Sequence, residues 1–220
     1  PSGSMGPGWG MISFLGRWLR PVIRGERTTI RPFERADVDR WLEWPPHTDP
    51  LFADYSPPRL TARQRDDYYR TRVGFSSQWM FAVDDEHGDL VGRISLREVD
   101  SRAGTAVLGI TFHPQRLNRG YGTDALRAFL RYYFEELRFQ ALYLDVAAFN
   151  TRARHVYEKL GFVEIGRRWG ESQPDSAGIF TQPAYESLRD CFRREGGWIR
   201  PLMIDMVLRR ADYLRLRADA

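Results

Sequence analysis

Apolar and polar positions change period several times along the chain. Thr28–Phe33 alternates as a strand does, and Glu34–Trp44 follows as a helix with Asp37 and Asp39 near its start. Pro45-Pro46 and Pro57-Pro58 bracket a loop that holds Phe52 and Tyr55. Thr61 is placed to cap a helix running to about Val73. Trp79–Val83, Leu90–Arg97 and Thr105–Phe112 are separated by turns rich in Asp and Gly, which predicts a β-meander. After Pro114 the period lengthens. Ala125, Leu126, Phe129, Leu130, Tyr133, Phe134 and Leu137 fall on one face of a helix of about four turns. Ala141–Val146 is almost continuously apolar and reads as a buried strand. Thr151–Leu160 is a second helix closed by Gly161, Phe162–Ile165 a strand, and Leu202–Leu208 a last apolar strand. Ser172–Gly197 is polar, with a short helix expected at Tyr185–Arg194. Together these predict an α+β fold, a mostly antiparallel sheet with one strand–helix–strand crossover.

The organisation expected is one domain over 26–220 with an insertion at about 171–197, preceded by an extension at 5–25. Pro1–Ser4 reads as a cloning remnant. Met11–Ile23 has the mixture of a short amphipathic helix that packs on the domain or lies on a membrane surface. A chain of 220 residues, 42% hydrophobic and 28% charged, can build a sizeable core and is not a disordered polymer. No run approaches the roughly 20 apolar residues of a membrane span.

Charge alters this picture only locally. The net charge is +4, and 32 of the 33 basic residues are arginine, Lys159 being the exception. Arginine forks onto phosphate and carboxylate, so nucleic acid, a phosphorylated ligand or neither is compatible with the balance. Basic and aromatic residues are dispersed without a nucleic-acid recognition motif, so no nucleic-acid partner is expected. A single cysteine, Cys191, excludes an internal disulfide framework and suits a reducing, cytoplasmic setting. The four histidines have no metal-ligand spacing, and no metal is expected.

Two segments carry chemistry. The first is Gly109–Leu126, in which Leu117-Asn118-Arg119-Gly120-Tyr121-Gly122-Thr123 joins a strand to the long helix. A glycine-rich turn at a helix N-terminus presents successive N–H groups and the positive end of the helix dipole, which together bind an anion. It also serves as a plain strand–helix connection. It is no Walker loop, and Ala125 breaks the dinucleotide fingerprint. The second is Asn150-x-x-Ala153-x-x-x-Tyr157-x-x-x-Gly161-Phe162, where Ala153 and Tyr157 share a helix face. That face is compatible with simple packing.

The two segments, in this order and at this separation, resemble the GNAT (Gcn5-related N-acetyltransferase) superfamily. They are most similar to the branch that includes ribosomal-protein N-terminal acetyltransferases. Gly120-x-Gly122 matches that family's pyrophosphate loop, although Leu117 stands where Gln or Arg is usual. Thr28–Phe33 with Asp37, and Asp100–Arg102 before Leu108–Ile110, extend the likeness over about Thr28–Ile165 and again at the last strand.

The resemblance implies a V-shaped splay between the fourth and fifth predicted strands, Thr105–Phe112 and Ala141–Val146, with a bulge before Pro114. Acetyl-CoA would lie in the V as cosubstrate. Its pantetheine arm would pair with Ile110, Thr111, Phe112 and His113, and its pyrophosphate would sit on Leu117, Asn118, Arg119, Gly120, Tyr121, Gly122 and Thr123. Asn150, Ala153 and Tyr157 would flank the arm and thiol. Arg152 and Arg154 would reach the 3′-phosphate, or be ordinary surface arginines.

The reaction implied is direct attack of a neutral primary amine on the thioester in a ternary complex. Amines hold their proton to a pKa of about 8 to 10.4, so a base or a water chain is needed. His113, Asp145 and Glu98 are candidates, and His113 has the best intrinsic pKa. Tyr157 would be general acid to the leaving thiolate, and N–H groups near Phe112 or His113 would hold the oxyanion. The acceptor is a protein N-terminus or a small-molecule amine. Its specificity is expected from Trp41–Tyr55 and from acidic groups around the insertion: Glu171, Asp175, Glu186, Asp190 and Glu195. A catalytically silent acyl-CoA sensor is the alternative, and a homodimer is left open.

Overall fold

The computed structural model describes residues 21–73 and 77–219. Ten strands make one sheet: β1 (Ile23–Arg24), β2 (Thr29–Pro32), β3 (Trp79–Asp84), β4 (Leu90–Asp100), β5 (Thr105–Phe112), β6 (Ala141–Ala147), β7 (Val163–Trp169), β8 (Gln173–Pro174), β9 (Phe192–Glu195) and β10 (Trp198–Arg209). Among the described residues five α-helices flank it: α1 (Arg35–Leu42), α2 (Ala62–Val73), α3 (Tyr121–Arg131), α4 (Thr151–Lys159) and α5 (Arg210–Ala218). The main path runs β1-β2-β3-β4-β5-β6-β10-β7, with β8 and β9 paired to the first part of β10. Every pairing is antiparallel except β5–β6. This is the predicted α+β architecture with its single parallel crossover.

The sheet begins ahead of Glu26, because Ile23 and Arg24 pair with Ile30 and Thr29. The helix expected at Met11–Ile23 lies outside the described residues, except at its end, where Ile23 is already strand. The cloning remnant also lies outside them.

Alternation along β4 divides the two faces. Ile94 and Leu96 point into the main core with Leu108, Leu126, Phe129, Tyr133 and Leu142. Arg93, Ser95 and Arg97 take the intervening positions on the other face. A second core under α1 and α2 contains Phe33, Val38, Trp41, Trp44, Met80 and Ala82. Trp41 and Trp44, expected beside the acceptor, are packing residues there. The Arg31 guanidinium docks α1 on the sheet, donating to both Asp37 carboxylate oxygens at 2.7 and 2.8 Å and to Asp84 at 2.6 Å. Asp37 also accepts from the Glu34 N–H at 2.8 Å, which caps the helix start.

Three further expectations are corrected. Helix α3 ends at Arg131, and the chain continues as a π turn over Tyr132–Glu136, where Tyr133 is still fully buried. The insertion is not a solvated loop with a helix to Arg194. A 3₁₀ turn over Pro183–Cys191 leads into β9, and Ala177, Ile179, Phe192 and Ile199 form a small core of their own. Apolar residues too sparse to show a period thus pack through three-dimensional neighbours. Lastly, β5 pairs regularly with β4 from Val107 to Phe112, so the bulge expected before Pro114 is not in that strand. The irregularity lies on β4 between Arg97 and Asp100, where Glu98 has φ of 51°.

Candidate active site

Strands β5 and β6 pair only through Thr105–Ala141, Ala106–Leu142 and Val107–Tyr143, and separate beyond that point. The register with β4 then decides which backbone groups face the gap. Opposed residues in an antiparallel pair alternate between bonded and non-bonded pairs. His113 N–H donates to Val91 O at 2.8 Å, so Thr111 and Gly109 are also in bonded pairs. Ile110 and Phe112 are therefore in non-bonded pairs, and their N–H and C=O groups turn away from β4 into the gap. That is an edge on which an amide-bearing arm can pair.

The gap opens into a cleft of about 410 Å³. At its far end the backbone passes through Asn118 at φ 60° and Gly120 at φ 86° before entering α3. The left-handed turn at Gly120 aims the first N–H groups of an eleven-residue helix at the cleft. Gly122 lies against the Phe112 ring, and a Cβ there would come within 3.3 Å of Cε2. The loop is braced from outside. Arg27 donates to Arg119 O at 2.7 Å and stacks over the Tyr121 ring at 4.5 Å. Asp124 accepts from Glu26 N–H, Arg27 N–H and the Thr28 hydroxyl at 2.9, 3.1 and 2.6 Å. Burial pushes the Asp124 carboxyl up, but the Thr28 hydroxyl and the backbone N–H groups outweigh it and hold the group below its ordinary value.

All the residues anticipated as cofactor contacts line this cleft except His113 and Arg154. Asn150 caps α4, its Oδ1 accepting from Ala153 N–H at 3.3 Å. Arg152 lies over Phe52 at 5.7 Å, and Arg119 is exposed at the loop. Arg154 is not on the cleft and pairs with Glu158 at 3.5 Å. Arg116 reaches the cleft but is held by Asp89 at 3.3 Å. Tyr157 is buried at the inner end, where desolvation, then Tyr55 and Asp145, raise its pKa well above the ordinary tyrosine value. Its hydroxyl therefore keeps its proton.

His113 is turned elsewhere. Its Nδ1 accepts from Gln115 N–H at 3.2 Å, and its ring packs on Trp44 at 5.3 Å. Burial and Arg116 push its pKa down. The role of base anticipated for it has no geometric support, and its N–H, spent on Val91, cannot hold an oxyanion. The Phe112 N–H is the one turned inward. Residues that no motif announced also line the cleft: His47, Phe52 and Tyr55 from the proline-bracketed loop, and Val156 and Met203. Only the aromatic content of that loop signalled them.

On the other face of the sheet a second cavity, of about 500 Å³, lies over β5, β6 and β10. Glu98, Asp145 and Asp205 line it together with Arg97 and Arg168. Asp145 lines this cavity and the cleft alike. Its carboxylate meets Arg97 at 3.3 Å and Arg168 at 3.5 Å. The acids of the insertion are not here: Asp175 accepts from Ile179 N–H at 2.7 Å, and Glu195 pairs with Arg200 at 3.0 Å. Among the described residues no His, Cys, Asp and Glu grouping could hold a metal, and no helix is long and apolar enough to cross a membrane.

A splayed parallel pair, a helix start turned into the cleft by a left-handed glycine and a buried tyrosine form a recognisable set. The acetyltransferase (GNAT) domain model matches residues 27–163. The chain belongs to the GNAT family. It is an N-acetyltransferase that uses acetyl-CoA as its acetyl donor. It is 26% identical over 138 residues to a spermidine N(1)-acetyltransferase of Vibrio cholerae, which spans 63% of this chain and 80% of the relative. The same-named Escherichia coli K12 protein is 27% identical over 133 residues, 60% of this chain and 71% of the relative. A Bacillus subtilis protein, provisionally named a ribosomal N-acetyltransferase, is 34% identical over 80 residues, 36% of this chain and 44% of that protein. The fold matches that of the Vibrio cholerae spermidine N-acetyltransferase crystallised with CoA and spermine: TM-score 0.64, 22% identity, 85% of this chain and 98% of that one.

Proposed function

We propose that this acetyltransferase modifies a primary amine of a small molecule, which approaches from the face of the sheet opposite the cofactor loop. The observation that carries this reading is Asp145, which faces both the cleft and the second cavity. An incoming ammonium meets its carboxylate next to the reaction point, and the open groove beyond leads its proton to solvent. The Vibrio cholerae and Escherichia coli relatives, both named for spermidine, also favour a small amine.

The cleft fits acetyl-CoA on its own chemistry: N–H groups at Gly120–Thr123 for the pyrophosphate, and the inward edges of Ile110 and Phe112 for the amide-bearing arm. Acetyl-CoA supplies an activated thioester carbonyl. Within the chain, an inward-turned backbone N–H of β5 that the arm leaves free would steady negative charge on that oxygen. Tyr157, kept protonated by burial, is placed to donate to the departing sulfur. Asn150, Arg119 and Arg152 hold the more distant parts of the cosubstrate.

The test is thiol release from acetyl-CoA across a panel of small amines, with Asp145→Asn beside the parent protein. Turnover of small amines, with KM for the amine raised in Asp145→Asn and CoA affinity intact, is expected. An Asp145→Asn enzyme with unaltered amine kinetics would remove Asp145 from this role. The partial likeness to the ribosomal branch favours a second reading, acetylation of a protein N-terminus. Peptides turned over in preference to every small amine would establish it instead. CoA binding without release from any acceptor would identify a silent sensor.

A further inference from the structure

The groove on the amine side carries positive charge that the fold does not balance. Arg93 projects from β4 beneath α2, with its guanidinium 3.7 Å from the Trp41 ring centroid and Nη1 donating to the Tyr68 hydroxyl at 2.7 Å. Arg72 follows from α2, over the Tyr68 ring at 5.6 Å. Neither has a carboxylate partner among the described residues. The neighbouring acids are already taken: Asp39 by Arg35 and Arg65, Asp66 by Arg35, and Asp67 by Arg70. The residues outside the described ranges include no Asp or Glu, so no side-chain carboxylate is available there either.

These two arginines line a cavity of about 180 Å³ with Arg97, Tyr68 and Ser95, and its lining includes no acidic residue. At about 30 Å³ per water, it has room for about six waters, enough for a carboxylate or phosphate head. A half-buried cation without a counter-charge is costly, and desolvation pushes Arg93 below its ordinary pKa. Arginine also presents the fork that fits a planar or tetrahedral oxyanion. The place of the cavity is informative. It shares Gly109, Ile110 and Thr111 with the cofactor cleft, and Arg97 lines all three cavities. An anion bound there would lie across Arg97 from the second cavity, where Glu98, Asp145 and Asp205 outnumber Arg97 and Arg168.

We propose that the acceptor is a small zwitterionic amine, whose carboxylate or phosphate is held by Arg72 and Arg93 while its ammonium faces Asp145. This rests on the acetyl-transfer reading and narrows it. A wholly cationic polyamine would place positive charge against two unpaired arginines.

Thiol release with matched amines is the test. 5-Aminovalerate is compared with pentylamine and cadaverine, and phosphoethanolamine with ethanolamine. The anion-bearing member of at least one pair is expected to have at least a tenfold higher kcat/KM, and which pair responds separates carboxylate from phosphate. Arg72 is exposed, so Arg72→Gln should fold; it should abolish that preference and leave CoA affinity unchanged. Preference for cadaverine, or an anion preference untouched by Arg72→Gln, overturns the proposal. If no amine releases thiol, calorimetry of inorganic phosphate and of acetate into CoA-saturated protein decides. Binding weakened by Arg72→Gln supports the anion site, and absence of binding overturns it. Failure of CoA itself to bind would overturn the acetyl-transfer reading, and this proposal with it.

Discussion

The two sides of the splay are built from different materials. On the proposed cofactor side the groups turned into the cleft are backbone: the N–H groups after Gly120 and the inward edges of Ile110 and Phe112. On the amine side they are side chains drawn from separate elements: Arg72 from α2, Arg93 and Arg97 from β4, Asp145 from β6, Arg168 from β7 and Asp205 from β10. A backbone site tolerates change in most side chains but not in conformation. A side-chain site behaves in the opposite way, and can be retuned for a new amine without disturbing the cosubstrate.

The sharpest break in that comparison is Tyr157, a cleft residue proposed to act through its side chain. Loss of a positioned acid costs about 10²- to 10⁴-fold. Tyr157→Phe keeps the ring against Phe162, 5.8 Å away, and removes only the hydroxyl. Steady-state kinetics should show kcat lowered by about a hundredfold or more, with CoA affinity unchanged. An unaltered kcat would take Tyr157 out of the acid role.

Gly120→Ala tests the backbone half. A Cβ there has room, since its nearest neighbour would be Arg27 Nη1 at 3.7 Å. The penalty is therefore conformational, about 1–2 kcal/mol for a non-glycine residue in the left-handed region. If the loop relaxes to escape it, the N–H groups lose their aim, and CoA affinity should fall by about five- to thirtyfold. Calorimetry showing wild-type affinity and wild-type thermal stability together would refute the conformational argument.

This contrast also explains what the sequence could reveal. Glycines at fixed spacing before a helix, and Asn150 with Tyr157 on the next one, sit close together in the chain, so the cofactor half was readable. The amine half was not. Asp145 stood out only as one of three candidate bases, and Arg97, Asp145 and Asp205 share a cavity only through the strand order β4-β5-β6-β10. His113 shows the opposite failure. Its intrinsic pKa made it a natural candidate for base, but pKa says nothing of direction, and the register spends its N–H on β4 while its ring rests on Trp44. The insertion misled for a third reason: its core is four residues spread over β9, β10 and the turns between.

Asp124 braces the cofactor side from outside, tying the chain at Glu26–Thr28 to the start of α3. Asp124→Ala leaves those donors to water and should cost about 1 kcal/mol, seen as a lower Tm. The pH dependence has a fixed sign. The folded carboxyl titrates below its ordinary value of 3.8, so its contribution is complete above that value. It is lost as pH falls through the lower, folded value. The Tm difference between parent and variant should therefore shrink on acidification below that ordinary value. A difference that stayed constant there would show that the Asp124 charge does not contribute.

The smallest effect is expected at Arg119, an exposed side chain on the loop whose backbone is proposed to do the binding. Its carbonyl, not its guanidinium, is the group fixed by Arg27. Arg119→Ala removes one solvent-screened charge near the expected pyrophosphate position, worth about 0.3–1 kcal/mol at low salt. CoA affinity should drop by no more than about fivefold in dilute buffer, and the difference should vanish near 1 M salt, where the Debye length is about 3 Å. A loss well beyond that, persisting at high salt, would mean that the loop recognises phosphate through this side chain. The division between a backbone-built and a side-chain-built half would then not hold.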